Sequence, residues 1–345
     1  MKELAVINEL LNDDSVTEIM INGLSGVYIE RAGKLLLSDV CFSDSKAINE
    51  LAQGILASCG KALNPSKPFA DARLADGSRV NIVLPPLSVS GPLITIRKFS
   101  KNMLSADDLV NRSACSANML EFLKFCVSSR QNIVVSGSTG SGKTTLLNLL
   151  SSFISEGQRI ITIEDTAELQ IRQKHTCRLE SKTSAENGTG VSIRELVVNA
   201  LRMRPDRIIV GECRAGEALD MLQAMNTGHD GSMTTAHANS PRDCLKRLEI
   251  MTLMAGYDLP VKAVREIISS AVDIIVQTAR AKDGSRKIIS VSEVTGMEGD
   301  TVTLSKIFEF KDEDGVGSFA ATGTIPSFLE AQRQKGTAID MAVFR

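Results

Sequence analysis

Residues 133–150 read IVVSGSTGSGKTTLLNLL and contain the loop Gly137-Ser138-Thr139-Gly140-Ser141-Gly142-Lys143-Thr144, which has the pattern Gly-x-x-x-x-Gly-Lys-Thr. An apolar strand precedes the loop and a helix starting at Lys143 follows it, which is the context that a phosphate-binding P-loop requires. Glycines let backbone N–H groups face the phosphates, and the helix N-terminus adds partial positive charge. Lys143 neutralises the β- and γ-phosphate oxygens, and the Thr144 hydroxyl can ligate Mg²⁺. We therefore expect ATP to contact Gly137, Ser138, Thr139, Gly140, Ser141, Gly142, Lys143, Thr144 and Thr145.

The pattern around this loop predicts an α/β domain over residues 117–345. A helix is expected near 117–128, and further apolar runs at 159–163, 207–210 and 232–235 alternate with helical stretches. Such alternation is typical of a parallel sheet. A late β-hairpin is expected from strands at 287–294 and 301–310, followed by a short helix near 326–335.

Residues 1–100 predict a smaller α+β domain. Their patterns indicate helices near 4–11 and 45–59, the second ending before Gly60, and strands at 16–21, 27–31, 34–37, 73–74, 79–84 and 93–97. Asp76-Gly77 is a strong hairpin-turn signal. Residues 101–116 turn polar and lose periodicity, so we interpret them as a linker.

Composition excludes several classes of protein. The 345 residues include 39 basic and 41 acidic side chains, for a formal charge of −2, so no nucleic-acid partner is expected. The 43% of apolar residues exclude a mainly disordered chain. We find no apolar run of membrane-spanning length and no secretory signal. Seven scattered cysteines without a Cys-x-x-Cys pair indicate neither a zinc module nor a disulfide framework, and favour a cytoplasmic chain.

Acidic side chains follow two of the predicted strands. Glu164-Asp165 end the run at 159–163, and Glu212 follows residues 208–211. The carboxyl ends of parallel strands line the ligand crevice, although acids there can also be solvated turn residues. Glu212 best fits a general base that orients water at the γ-phosphate. Glu164 is expected to act on Mg²⁺ or its waters, together with Thr144.

Histidines and arginines supply further candidates. His237 follows the strand at 232–235, so it either senses the γ-phosphate or is structural; His229 is a weaker case, and His175 lies on the surface or in the core. Arginines can stabilise charge on the transferred phosphoryl group. Arg79 and Arg97, at the end of the first domain, are candidates for reaching across a cleft. Further arginines, some of them solvated, are Arg178, Arg194, Arg202, Arg204, Arg207 and Arg214.

From about residue 10 to its C-terminus the chain resembles the type II/type IV secretion ATPases. Four motifs carry the resemblance, namely the Walker A loop at 137–144, the acidic box at 163–168, the Walker B region at 204–212 and the histidine box at 228–239. The amino-acid sequence at 199–206 and 224–231 is most similar to the tight-adherence (Flp pilus) branch. Departures are the absence of the four-cysteine zinc module, Ala215 where glycine is more frequent, and little chain ahead of the first domain, which leaves platform docking open.

The resemblance implies a RecA-like P-loop domain after a PAS-like α+β domain, and a homohexamer with ATP and Mg²⁺ bound between the two domains. It implies a cytoplasmic motor at an inner-membrane platform protein that powers pilus assembly or protein secretion. By the family pattern Glu164 is the acidic-box residue, Glu212 the catalytic glutamate and His237 the histidine-box residue, while Arg79 and Arg97 resemble first-domain arginines that reach the nucleotide.

Three other functions are weighed against this motor. The ATPase of a conjugation-type system, whose cargo can include DNA, differs only weakly in sequence. A scaffold that binds ATP without hydrolysing it has no need of Glu212. A DNA helicase is disfavoured by the balanced charge and by the 4% of aromatic residues, without tryptophan, which leave few platforms for base stacking.

Overall fold

The computed structural model describes residues 6–31, 33–64, 66–99, 104–182, 190–313 and 316–345. The chain divides into two compact units, residues 1–102 and residues 103–345. Across the described ranges, every helix is too short or too polar to cross a bilayer.

The first unit is an antiparallel sheet packed against a helix. Over the part of this unit that the structure describes, six strands follow the order β3-β2-β1-β6-β5-β4. Alternate strand residues such as Ile19 and Ile21 face the core, where they meet Ile48, Leu51 and Ile55 from one face of α2. The elements are α1 (Asn8–Asn12), β1 (Val16–Asn22), β2 (Val27–Arg31), β3 (Lys34–Leu37), α2 (Ser45–Ser58), β4 (Phe69–Arg73), β5 (Arg79–Val83) and β6 (Leu93–Arg97).

The second unit is built on a larger mixed sheet. Its elements are α3 (Ala106–Asn111), α4 (Ala117–Ser128), β7 (Ile133–Gly137), α5 (Lys143–Ser152), β8 (Ile160–Glu164), β9 (Thr176–Glu180), α6 (Ile193–Ala200), β10 (Arg207–Val210), α7 (Glu217–Asn226), β11 (Met233–Ala236), α8 (Pro241–Leu253), α9 (Val261–Ala271), β12 (Ile274–Arg280), β13 (Arg286–Glu298), β14 (Thr301–Glu313), β15 (Val316–Ala321) and α10 (Leu329–Gln334).

Sheet order explains why these strands are so apolar. Within the described residues the order is β15-β14-β13-β12-β7-β11-β10-β8-β9, and the pairs from β12 to β9 are parallel. Residues of β7 alternate between two cores, because Ile133 and Val135 join one cluster and Val134 joins the other. A parallel strand covered on both faces must be apolar throughout, so β7 is sandwiched between two helical layers.

The predicted elements are largely confirmed. The helix expected at 117–128 is α4, residue for residue, and the late hairpin is β13 and β14. Four elements were missed, namely α3, β9, β12 and β15. α3 occupies much of the segment interpreted as linker, where Ser105 and Asp108 form a capping box; residues 101–103 of that segment lie outside the described residues. β12 was missed because a short apolar run directly after a helix has no period of its own.

Arg207, one of the arginines proposed to act on phosphate, is instead part of the core. Its side chain is 1% exposed at the start of β10, on the amino-terminal edge of the sheet. It donates hydrogen bonds to the carbonyls of Gly231 and Val127 and to the Gln158 side chain, at 2.9, 2.8 and 2.7 Å. Burial lowers the pKa of Arg207 to about 10, which still leaves it charged at neutral pH. That expectation was wrong, and Arg207 joins the end of α4 to the loops that contain Gln158 and Gly231, at the amino-terminal edge of the sheet.

We expect Arg207→Met to lower the free energy of unfolding by about 2–4 kcal/mol, because two buried carbonyls lose their donors. Urea unfolding measures the change. Arg247→Gln is the matched control, since this exposed side chain on α8 makes no hydrogen bond or ion pair among the described residues. Equal unfolding midpoints for the two variants would contradict a structural role for Arg207.

Candidate nucleotide-binding site

The glycine-rich loop has the predicted setting between a strand and a helix. β7 ends at Gly137, and α5 begins at Lys143 with Gly142 as its N-cap. Gly140 and Gly142 have φ angles of +73° and +94°, a region in which side-chain-bearing residues are strained. Lys143 is 8% exposed, and its ammonium donates to the Ser138 carbonyl at 3.0 Å. Residues 137–144 are therefore already folded as a cradle, and the Lys143 ammonium already lies against this loop.

Strand β12 holds one side of this cradle. The hydroxyls of Ser141 and Thr278 are hydrogen bonded at 2.8 Å, and Thr278 also donates to the Ser136 carbonyl at 3.0 Å. At the start of β13, Arg286 donates its Nε–H to the Gly140 carbonyl at 2.9 Å. Sequence reasoning missed Thr278 and Arg286, because neither belongs to a motif and only the pairing of β12 with β7 brings them to the loop.

His237 contacts the loop from the other side. It follows β11, and its Nε2 is 3.2 Å from the Thr139 hydroxyl. Its Nδ1 is hydrogen bonded to Oε1 of Glu212. His237 thus connects the loop to the carboxylate after β10, in the crevice where the sequence placed it.

Glu212 is held on its other oxygen by an arginine. Arg214 approaches Glu212 Oε2 with Nη2 at 2.7 Å and Nε at 3.0 Å, and its Nη1 lies 3.3 Å from Asp165. Burial raises the pKa of Glu212, but the hydrogen bonds from Arg214 and His237 and the charge of Arg214 outweigh it and hold that pKa below its usual value. Glu212 is therefore ionised at neutral pH, as a proton acceptor must be.

Glu164 has the opposite environment. It ends β8 with 3% exposure, and burial raises its pKa more than its hydrogen bonds lower it. Its Oε1 accepts the backbone N–H groups of Glu168 and Leu169, both at 2.8 Å. Its Oε2 is buried and has no hydrogen-bond partner among the described residues. Gly211 packs against it, since a Cβ there would lie 3.0 Å from Glu164 Cγ.

These oxygens fit the cation that the sequence implies. Mg²⁺ prefers hard oxygen ligands and is usually bound by one or two protein groups together with phosphates and water. The Thr144 hydroxyl at the start of α5 and the unpartnered Oε2 of Glu164 are oxygens of this kind. The residues therefore suit Mg²⁺ bound with a triphosphate.

The remaining candidates lie in different places. Arg194 is an ion-pair partner of Asp220 at 2.9 Å and also binds the Ala255 carbonyl, so it ties α6 to α7. His229 precedes β11, at the opposite edge of the sheet from His237. Arg178 lowers the pKa of Glu164 through its charge. Three of the candidate side chains lie on the surface of the second unit, namely Arg202, Arg204 and His175, the last beside Arg159.

Arg79 and Arg97 belong to the first unit. They face each other across β5 and β6, and both side chains are exposed. Their proposed reach to a nucleotide stays a prediction.

Comparison with known proteins places the chain in a family. The Type II/IV secretion system protein family matches residues 1–314. The chain belongs to this family. It is 36% identical over 297 residues to the conjugal transfer protein TrbB of Rhizobium radiobacter, which covers 84% of this chain and 86% of the relative. It is 32% identical over 301 residues to a putative conjugal transfer protein of Mycobacterium tuberculosis, which covers 85% of each chain.

A solved structure has the same fold. The ATPase DotB of Yersinia pseudotuberculosis aligns with a TM-score of 0.62 and 19% identity over 87% of this chain and 79% of that chain. The second unit is accordingly a RecA-like domain, and an α+β domain precedes it. The relatives carry conjugal-transfer names, so the comparisons support the family as a whole and not specifically the tight-adherence branch that the wording of two boxes favoured.

We expect Gly137→Ala to weaken ATP binding at least tenfold and to cost about 1–3 kcal/mol of stability. The added Cβ would lie 2.3 Å from the Thr278 hydroxyl and 2.4 Å from that of Ser141, so the hydroxyl pair must separate. Gly157→Ala is the control, because nothing lies within 4 Å of its Cβ. Titration calorimetry with ATP measures binding. Wild-type affinity in Gly137→Ala would show that the cradle does not depend on this contact.

Proposed function

We propose that this chain hydrolyses ATP at the cradle formed by residues 137–144 and uses the energy to drive a type IV secretion machine of the conjugation type. One observation carries the proposal: an ionised carboxylate, Glu212, is connected through His237 to Thr139 in the loop. Nucleotide binding alone has no need of an activated base there. Family membership and the conjugal-transfer relatives support the same activity.

The chain's own residues have distinct tasks in this reaction. Backbone N–H groups of the loop and the Lys143 ammonium bind the phosphates, and Lys143 exchanges its contact with the Ser138 carbonyl for phosphate oxygens. Thr144 and Glu164 would hold Mg²⁺, which would neutralise charge on the phosphates when bound. Glu212 accepts a proton from the water that attacks the γ-phosphorus, as the bond to the leaving β-phosphate oxygen breaks.

His237 sets the orientation of the base. If the Thr139 hydroxyl donates to Nε2, the neutral imidazole carries its proton on Nδ1 and donates it to Glu212. A ligand that draws Thr139 toward its phosphates would alter this contact. We therefore assign His237 the task of reporting the occupancy of the loop to Glu212.

Assembly and location extend the proposal by resemblance. We propose a homohexamer in which Arg79 and Arg97 of the first unit reach the nucleotide and stabilise charge on the transferred group. The ring would act in the cytoplasm, at the inner membrane, through a platform protein of the secretion system. Closure of a cleft around ATP and its release after hydrolysis would supply the mechanical step.

The second candidate is a motor for tight-adherence pili. The amino-acid sequence at 199–206 and 224–231 favours it, whereas identities of 36% and 32% to conjugal transfer proteins favour the conjugation-type machine. Neighbouring genes discriminate the two, because prepilin and prepilin-peptidase genes accompany a pilus, and relaxase and coupling-protein genes accompany conjugation.

We expect Lys143→Ala to abolish ATP binding, because the cradle loses its only buried ammonium among the described residues. We expect Glu212→Gln to keep ATP affinity within a few-fold while kcat falls by about 10²–10⁴, as for the loss of a general base. Phosphate release and nucleotide titration measure both effects.

Glu266→Gln, an exposed change on α9, is the control and should leave turnover unchanged. Wild-type turnover in both site variants would refute the assignment of the site. Tight ATP binding without any phosphate release by the wild-type chain would favour the scaffold instead.

A further inference from the structure

The arginine two residues after Glu212 has contacts that no motif predicted. Arg214 donates from Nε and Nη2 to the same carboxylate oxygen of Glu212, at 3.0 and 2.7 Å. Its Nη1 donates to Asp165 Oδ2 in the acidic box at 3.3 Å. The guanidinium therefore joins two motifs that are separated by 47 residues in the chain, from Asp165 to Glu212.

We propose that Arg214 is a positioning residue for Glu212 and that Asp165 anchors it. The inference rests on the proposed function and adds a residue to it. In the sequence Arg214 was one of several arginines that could have stabilised the transferred phosphoryl group directly. In the structure each of its three side-chain nitrogens donates a hydrogen bond to a carboxylate.

The backbone around Arg214 is fixed independently of its side chain. Glu217, in the first turn of α7, accepts the backbone N–H groups of Arg214 and Ala215 at 2.5 and 2.9 Å. The next residue, Gly216, packs so closely on Ala255 that an added Cβ would lie 2.8 Å from its Cα. A long side chain that starts from a fixed backbone and ends on two carboxylates has little freedom, so it can hold Glu212 in one orientation.

The anchor is fixed as well. Asp165 accepts the Ser181 hydroxyl on its other oxygen at 3.0 Å, just beyond β9. A continuous line of polar contacts therefore crosses the carboxyl edge of the sheet, and its members are Ser181, Asp165, Arg214, Glu212, His237 and Thr139. Each member lies one to four residues after the carboxyl end of one of the strands β9, β8, β10, β11 and β7.

This arrangement fixes both carboxylate oxygens of Glu212. His237 binds Oε1 and Arg214 binds Oε2, so rotation about the last side-chain bond is blocked from two sides. A carboxylate oxygen has two lone pairs, so Oε1, which accepts one hydrogen bond, still has capacity to accept a water molecule, whereas Oε2 already accepts two from Arg214. Without Arg214 the base would keep its chemistry but lose a defined direction, and misplacement of about 1 Å costs on the order of 10²-fold in rate.

The test is a double-mutant cycle between Arg214 and Glu212, with ATP turnover as the readout. We expect Arg214→Gln to lower kcat about 10- to 100-fold, the range for a lost hydrogen bond to a charged group, with KM for ATP changed less than threefold. In the Glu212→Gln background the same change should lower kcat less than threefold, because a positioning residue has no effect once its partner is gone. Arg214→Lys should recover part of the loss, since it keeps the charge without the two-pronged donor.

Asp165→Asn provides a second route to the same answer. It should lower kcat in the same direction by a smaller factor, and this effect should also vanish in the Glu212→Gln background. Arg247→Gln is the matched control for the removal of an exposed arginine. Because the Arg214 side chain is 59% exposed, thermal melting of Arg214→Gln should follow the wild type closely.

The outcomes separate the inference from the proposed function. If Arg214→Gln lowers kcat equally in both backgrounds, or raises KM instead, Arg214 acts on the nucleotide directly and the inference is overturned alone. If the wild-type chain shows no turnover that depends on Glu212, the proposed function and the inference are overturned together.

Discussion

The position of β7 between β12 and β11 is the constraint on which the site depends. Because both neighbours are parallel to β7, their carboxyl ends reach the same edge as the glycine-rich loop. Thr278 therefore meets Ser141 on one side, while His237 meets Thr139 on the other. A loop of small residues has little stiffness of its own, so these lateral contacts keep its N–H groups directed into the cradle.

Two carboxylates at this edge of the sheet have different environments. Glu164 ends β8, and Glu212 follows the neighbouring parallel strand β10. Burial dominates at Glu164 and raises its pKa, whereas the contacts with Arg214 and His237 dominate at Glu212 and lower its pKa. Pairs of acids with opposed shifts commonly divide their tasks in catalytic sites. Here the ionised residue is the one connected to the loop, and the buried residue presents an unpartnered oxygen suited to a cation.

Short sequence patterns were enough to predict some of the helices and strands, such as α4, the strand that leads to Gly137 and the hairpin of β13 and β14. They also brought Glu212, His237 and the loop together, because strand ends share one edge. Treating Arg207 and Arg214 alike was an error that the same rule could have avoided, because Arg207 begins the apolar run of β10, at the opposite edge from the site, whereas Arg214 follows it. Thr278 and Arg286 were not predicted, because no short segment of sequence determines the order of the strands in the sheet.

The most direct test of the account is a crystal structure of this chain with Mg²⁺ and a non-hydrolysable ATP analogue. We expect the triphosphate in the cradle, Lys143 moved from the Ser138 carbonyl to the phosphates, and a Glu212 oxygen one water molecule away from the terminal phosphorus. A filled cradle with Glu212 turned away from the phosphate would contradict the proposed chemistry, and an empty cradle at saturating nucleotide would contradict the site itself.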